Sequence, residues 1–301
     1  MKRLITTMSL FLLIVLSACH SVDFQAQPPV FDTGIDSKQW VEVPAGEFLQ
    51  GQFNKVAVID QAYEVMVTNV TNAQFAAYLN EAVTSGAVKV NGNQVEGYYA
   101  GDTFAGARHE VEFKAGNYIH LPLGDPFLRL SYDGRSFAAI SGWEEHPMTM
   151  VSWFGAKAYC EFYGWRLPTE LEWEKAARGT DGRPYPWGDK MARNNANFYY
   201  SRDPFEDMAT FGSRTTPVGF YNGLTYNGYT TLDSASPYGV YDMAGNVWQW
   251  TANVYESQHY RFMRGGNKDM YENNLRVWAR NNATPTFTSP GTGFRCVRDT
   301  E

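Results

Sequence analysis

The sequence predicts one large domain that mixes a few short helices with short strands and long irregular segments. Three observations carry this reading. Thr71 with Gln74, and Thr169 with Glu172, form capping boxes ahead of amphipathic runs. Residues 85–140 hold only brief alternating stretches, such as HEVEF and RLSYDGRSFAAI, among glycines and tyrosines. From Gly179 to Glu301 the chain is crowded with Asn, Gly, Tyr and Trp and has almost no periodicity. An aromatic content of 16% lets so irregular a chain bury a core, because each ring removes a large area from water while its polar edge can find a partner.

The first element is a leader. Residues 1–18 combine basic Lys2 and Arg3 with an apolar run, Leu10–Leu16, too short to span a bilayer. Their end, Leu16-Ser17-Ala18-Cys19, resembles the lipobox of bacterial lipoproteins, so Cys19 is expected to become an acylated N-terminus. The expectation is an exported, membrane-anchored protein. His20 after the cysteine, in place of an aspartate, favours the outer membrane in a Gram-negative host. Removing residues 1–18 leaves 283 residues, enough for one large core, with 23 basic side chains against 32 acidic and a formal charge of −9. That sign argues against nucleic acid and against any anionic-lipid surface beyond the lipid anchor. Besides Cys19 only Cys160 and Cys296 remain, and in an oxidising compartment an isolated pair is usually a disulfide. The five histidines (His20, His109, His120, His146, His259) contain no close-spaced pair to complete a zinc site.

Residues 19–39 carry a Pro-Pro pair and no sustained periodicity, and read as the lipidated N-terminus and a linker. The domain then runs over 40–301. WVEVPAGEFLQGQ, broken by Gly46 and Gly51, predicts a hairpin. After Thr71, Phe75, Tyr78, Leu79 and Ala82 share one face of a helix. A second helix starts at Ser152, brings Ala156, Tyr159, Cys160 and Tyr163 to one side and stops at Gly164. A third follows Thr169 through LEWEKAARG.

Six ordered blocks add a resemblance. HPMTMVSWFGAKAYCEFYGWRLPTELEWEKAARG (146–179), YPWGD (185–189), NNANFYY (194–200), YGVYDMAGNVWQWT (238–251), RGGN (264–267) and GTGFRC (291–296) resemble the formylglycine-generating enzyme, or sulfatase-modifying-factor, domain. VPAGEFLQG (43–51) and VTNVTNAQFAAYLN (67–80) fit its opening, so the likeness covers roughly residues 40–298. It implies an α+β, C-type-lectin-like fold with little regular secondary structure, and a bridge between Cys160 and Cys296. It also implies Ca²⁺ against two loops: Asp242, Gly245, Val247 and Gln249 in one, where Gln249 stands for a usual glutamate, and Asn197 with the carbonyl of Phe198 in the other. Oxygen donors of this kind suit calcium.

The family's Gly-Gly turn is followed by two cysteines that hold copper and oxidise a substrate cysteine. Here Met270 and Leu275 stand at those positions, and no cysteine lies between Cys160 and Cys296. Soft thiolates are what Cu(I) requires, so no copper and no catalytic residue is expected. What remains is Asn267, Asn273, Asn274, Arg276, Trp278 and Arg280, which either cross-link irregular loops or form a contact surface for a protein or glycan. Binding is the expected role. The alternative is an oxidase that modifies exported proteins, such as sulfatases, through a different site.

Overall fold

The structure is a computed structural model that describes residues 27–102, 113–207, 212–255 and 259–300. The leader and Cys19 lie outside the described residues. β1 (Trp40–Val43), β2 (Gly46–Gln50), β3 (Lys55–Ile59) and β4 (Tyr63–Met66) open the domain. The hairpin expected near the domain's start forms from β2 and β3 with its turn at Gly51, and β1 lies outside it. β1 pairs antiparallel with β4, and β2 with β3. The chain reverses at Gly51–Asn54, where Gly51 and Asn54 both take positive φ, while Gly46 opens a strand.

α1 (Asn72–Ser85) begins as its capping box requires: Gln74 N–H donates to Thr71 Oγ1, and Thr71 N–H donates to Gln74 Oε1. Phe75, Tyr78, Leu79 and Ala82 are all buried. β5 (Val88–Asn91), β6 (Gln94–Tyr99) and β7 (Gly116–Pro122) make a three-stranded antiparallel sheet. β8 (Leu130–Tyr132) and β9 (Phe137–Ala139) form a hairpin fastened to α1, whose Asn80 side chain bonds both the N–H and the carbonyl of Phe137. α2 (Trp153–Phe162) is capped by Ser152, and α3 (Glu170–Arg178) by Thr169 with Glu172.

Beyond α3 come two short ladders, β10 (Glu206–Asp207) with β11 (Gly212–Ser213) and β12 (Thr225–Tyr226) with β13 (Tyr229–Thr230). A regular sheet follows where little was expected. β14 (Trp248–Tyr255), β15 (Tyr260–Arg264), β16 (Arg280–Ala283) and β17 (Thr292–Gly293) line up in the order β16-β15-β14-β17. Trp248–Thr251 are buried on both faces, so β14 lacks the alternation that would have announced it. β18 (Val297–Asp299) pairs with β4, which sets Val297 and Val41 against Val65 and closes the domain's end onto its beginning.

The main core lies where α1, α2 and β14 meet. Phe75 contacts Tyr78, Tyr159 and Phe294, with ring centroids 5.2, 5.6 and 6.0 Å away. Beside them Cys160 and Cys296 are bonded. The bridge closes 136 residues, so by chain entropy it stabilises the fold by roughly 4–5 kcal/mol. A second cluster sets Trp173, Ala176 and Ala177 of α3 against Val43, Val65 and Val277.

The linker expected over 19–39 is corrected in its described part. Phe31 enters an aromatic cluster with Phe205, Phe220 and Tyr226, and Thr33 Oγ1 donates to the Val218 carbonyl. An apolar ring with partners within 6 Å is worth more buried than solvated, so this stretch packs on the domain.

His120 on β7 is buried against Gly97 of β6, where a Cβ would stand 2.3 Å from the imidazole. Burial lowers the pKa of His120 to about 4. His146 is lowered to about 3, by burial and then by the nearby Arg129 and Arg214 charges. Both histidines are therefore neutral in the fold and protonate near pH 6.5 only on unfolding. Stability is then fully present above pH 6.5 and falls as pH drops toward 4, by about 2.7 kcal/mol per unit for two groups. Urea titrations at pH 7, 6 and 5 should show that loss, and H120Q should reduce the slope by about half. A flat profile would contradict the assignment.

Candidate binding face around the Gly265-Gly266 turn

The turn is held from below by charge. Arg264, the last residue of β15, is buried and donates to Glu170 Oε1 at 2.9 Å, Glu174 Oε2 at 2.6 Å and the Val277 carbonyl at 2.7 Å. Glu174 Oε1 also accepts from Arg178 at 2.8 Å and from the Gly51 N–H at 2.6 Å. One carboxylate of α3 thus ties the helix to the β2–β3 turn and to the strand that delivers Gly265. Arg280 Nε lies 3.0 Å from Glu170 on the exposed side.

Above that base the chain doubles back tightly. Gly266 has φ of 74°, and a Cβ there would stand 2.8 Å from the Asn274 carbonyl, so only glycine fits. Asn267 is buried: its amide donates to Gly291 O, and its Oδ1 accepts from Asp269 N–H. Asn267 therefore braces the loop from inside. The two positions at which the resemblance places the family's cysteines are apolar. Leu275 is fully buried with Tyr185, Phe198 and Ala244, and Met270 packs partly against the same cluster.

The remaining residues of the segment face outward to different degrees. Asn273 and Asn274, at the 3₁₀ turn Glu272–Leu275, are exposed, and so is Arg280. Arg276 and Trp278 are half-buried and line an open depression of about 510 Å³ with Pro184, Tyr185, Lys190 and Glu272. The Arg178 and Arg276 guanidiniums sit 5.4 and 5.8 Å from the Trp278 ring. Sequence reasoning missed three neighbours. Tyr199, Tyr200 and Tyr271 cluster with centroids 4.9 to 5.8 Å apart, and Tyr200 and Tyr271 are about half exposed. The Tyr-Tyr pair in NNANFYY was the available signal.

The calcium expectation meets a chemical obstacle at Gln249. Its Oε1 accepts from Trp173 Nε1 at 2.9 Å and Arg295 Nε at 2.8 Å, while its Nε2 donates to the Asp242 carbonyl at 2.8 Å. The orientation is unambiguous, because an indole and a guanidinium only donate and a carbonyl only accepts. Gln249 thus turns N–H groups, not oxygen, into the loop, and it does not fit the role of a ligand. Asp242 is half-buried, with Oδ2 accepting from Gly219 N–H at 2.7 Å. Burial, only partly offset by that bond and by Arg295, lifts its pKa to about 6. Gly245 and Val247 share the loop; Gly245 N–H is bonded to the Gly265 carbonyl, which joins this loop to the Gly-Gly turn. In the first loop, Asn197 spends its amide on Arg214 O, and the Phe198 carbonyl accepts from Ser201 N–H. No helix among the described residues is long and apolar enough to cross a membrane.

A short-helix, short-strand α+β domain closed by a Cys160–Cys296 bridge, with a Gly-Gly turn braced on α3, defines the formylglycine-generating type of C-type-lectin-like fold. The chain belongs to the sulfatase-modifying factor enzyme 1-like domain family, whose profile matches residues 27–300. It is 32% identical over 302 residues to the formylglycine-generating enzyme of Streptomyces coelicolor, covering 87% of this chain and 89% of that protein. It is also 38% identical over 164 residues to the inactive C-alpha-formylglycine-generating enzyme 2 of Bos taurus, covering 51% of this chain and 50% of that relative. Among solved structures, CarF aligns with a TM-score of 0.57 at 21% identity, over 87% of this chain and 98% of CarF. PvdO from Pseudomonas aeruginosa aligns at 0.55 and 20%, over 91% and 99%. Both share the fold.

Removing one partner from the α3 network leaves buried charge uncompensated, so E174A should cost about 3–5 kcal/mol in denaturant unfolding. With Gln249 closing its loop, chelation should leave the wild-type melting temperature unchanged. Q249E, which restores the usual carboxylate, should make melting calcium-dependent, as thermal scans with EDTA or CaCl₂ would show.

Proposed function

We propose that this protein is a cell-envelope lipoprotein whose domain binds a protein or glycan partner through the Gly-Gly end and does not oxidise cysteine. The observation that carries the reading is that no cysteine lies between Cys160 and Cys296, the stretch in which the resemblance places the family's metal-binding pair, at Met270 and Leu275. Leu275 is sealed in an apolar cluster, where neither a metal nor a substrate thiol has access. The same end presents Tyr199, Tyr200, Tyr271, Asn273, Arg276 and Trp278, residue types that give large contact area at low entropic cost together with adaptable hydrogen bonding. A relative named as inactive supports the loss of chemistry within this family. Asn267 leaves the contact set, since its amide is spent internally. Anchoring rests on the lipobox-like Leu16–Cys19 sequence, and the 27–39 stretch that follows packs on the domain.

Two measurements test this. Copper-loaded protein incubated with oxygen and a sulfatase-motif peptide should yield no aldehyde by mass spectrometry; turnover that survives removal of contaminating enzyme would overturn the reading. An N273A/Y271A variant, altered only at exposed positions, should keep its melting temperature and capture less partner from solubilised envelope membranes. Undiminished capture would place the contact surface elsewhere.

A further inference from the structure

The YPWGD block, Tyr185–Asp189, stands between two open depressions that meet at Asp189. The one of about 510 Å³ described above holds Tyr185 and Trp278, and its neighbour of about 350 Å³ holds Arg183, Trp187 and Gly188. Both volumes fall within the range of about 300–1,000 Å³ common to small-ligand sites. Each depression has one half-buried tryptophan in its wall. The loop that carries them is pinned. Tyr185 and Gly188 exchange both backbone hydrogen bonds, and the Pro184 carbonyl accepts from Val277 N–H. Trp187 Nε1 donates to the Lys190 carbonyl at 2.9 Å, and the Tyr185 and Trp187 rings stack with centroids 5.4 Å apart and planes 4° from parallel. A ligand would therefore meet aromatic surface that is already ordered.

The polar side chains around the loop divide into two sets. Arg183 is spent, because its guanidinium donates to both oxygens of Asp181 and to the Pro186 carbonyl. Asp189, Lys190, Glu272 and Arg276 make no side-chain hydrogen bond or ion pair with the described residues; Arg276 only rests 5.8 Å from the Trp278 ring. Two carboxylates and two cations of zero net charge thus border an aromatic floor. Such a set favours neither an anion nor a cation. A neutral ligand rich in hydroxyls suits it, since carboxylates accept from hydroxyls, cations donate to them, and the weakly positive C–H face of a sugar ring matches the negative face of an indole. An extended peptide finds less, because the loop's backbone groups are bonded to each other and offer it no strand edge to join.

We infer that the two depressions are adjoining subsites for a neutral oligosaccharide, with one ring against Trp278, the next against Trp187, and Asp189 accepting hydroxyls between them. The inference deepens the proposed binding role of the Gly-Gly end and rests on it.

The test is NMR of the full-length protein labelled with ¹⁵N-tryptophan, in a detergent without a sugar headgroup, titrated separately with tetra-N-acetylchitotetraose and cellotetraose. The Trp187 and Trp278 indole resonances, assigned by their loss in W187F and W278F, should shift saturably with at least one of the two. The matching disaccharide should bind at least about tenfold more weakly, because it fills one subsite and loses the gain of linkage. D189N and E272Q change exposed side chains without internal partners, so both should keep the wild-type melting temperature. Each should weaken the tetrasaccharide about tenfold, the value of one hydrogen bond to a charged group. No saturable shift at either indole with both tetrasaccharides, equal affinity for di- and tetrasaccharide, or unchanged affinity in both D189N and E272Q would overturn the inference. Absence of oligosaccharide binding together with weaker capture by the N273A/Y271A variant would also overturn it, while leaving the proposed binding role in place with a protein as the partner.

Discussion

The contact on which the rest of this structure depends is the buried bond set between Glu174 and its two arginines, Arg178 and Arg264. Few long ladders run through the domain, so most of its backbone must be held by side chains. Glu174 and Arg178 do this for the β2–β3 turn, where they bond both the N–H and the carbonyl of Gly51. Arg264 does it for the 265–278 segment by donating to two carboxylates of α3 and to the Val277 carbonyl. Charges so deeply buried are tolerated only because each is matched; their geometry in turn determines where Gly265 and Gly266 turn.

A second buried system does the same for the opposite loop. Arg295 is wholly buried, and burial pulls its pKa down to about 9, against the opposing pull of Asp242. It donates to Met66, Val67 and Tyr241 carbonyls and to Gln249 Oε1. A glutamine suits this position because one amide satisfies donors on one side and an acceptor on the other, without adding a second buried charge. Rigid scaffolding from these two systems supports the surface at the Gly-Gly end, where Leu275 is packed among Tyr185, Phe198 and Ala244. A scaffold of this kind is compatible with either oxidation or binding, so only the side chains mounted on it can distinguish the two.

Legibility followed locality. Helix starts at Thr71, Ser152 and Thr169 were readable because a cap is a bond between residues three apart in sequence. The Cys160–Cys296 pair was readable because the AYC and GFRC blocks that carry the two cysteines match the family's own. β14 was not, since both faces of its first half are buried and alternation vanishes. The pairing of β1 with β4 was hidden because its partners lie 20 to 26 residues apart in sequence, beyond any local signal.

By itself the sequence determined the class of domain, the helices, the bridge and the loss of the cysteine pair, all of which depend on which residues are present and how they are spaced locally. Only the tertiary structure decided which of the polar residues in RGGNKDMYENNLRVWARNN are spent inside. Asn267 and Arg264 look no different in sequence from Asn273 and Arg280, yet the first two are buried and the others face solvent. The gathering of Tyr185, Asp189, Glu272 and Trp278 around one depression was equally invisible, because it joins positions up to 93 residues apart. The physical reason is the same in both cases: whether a donor is satisfied or available depends on acceptors brought near by the fold, and such distances are not written in local sequence.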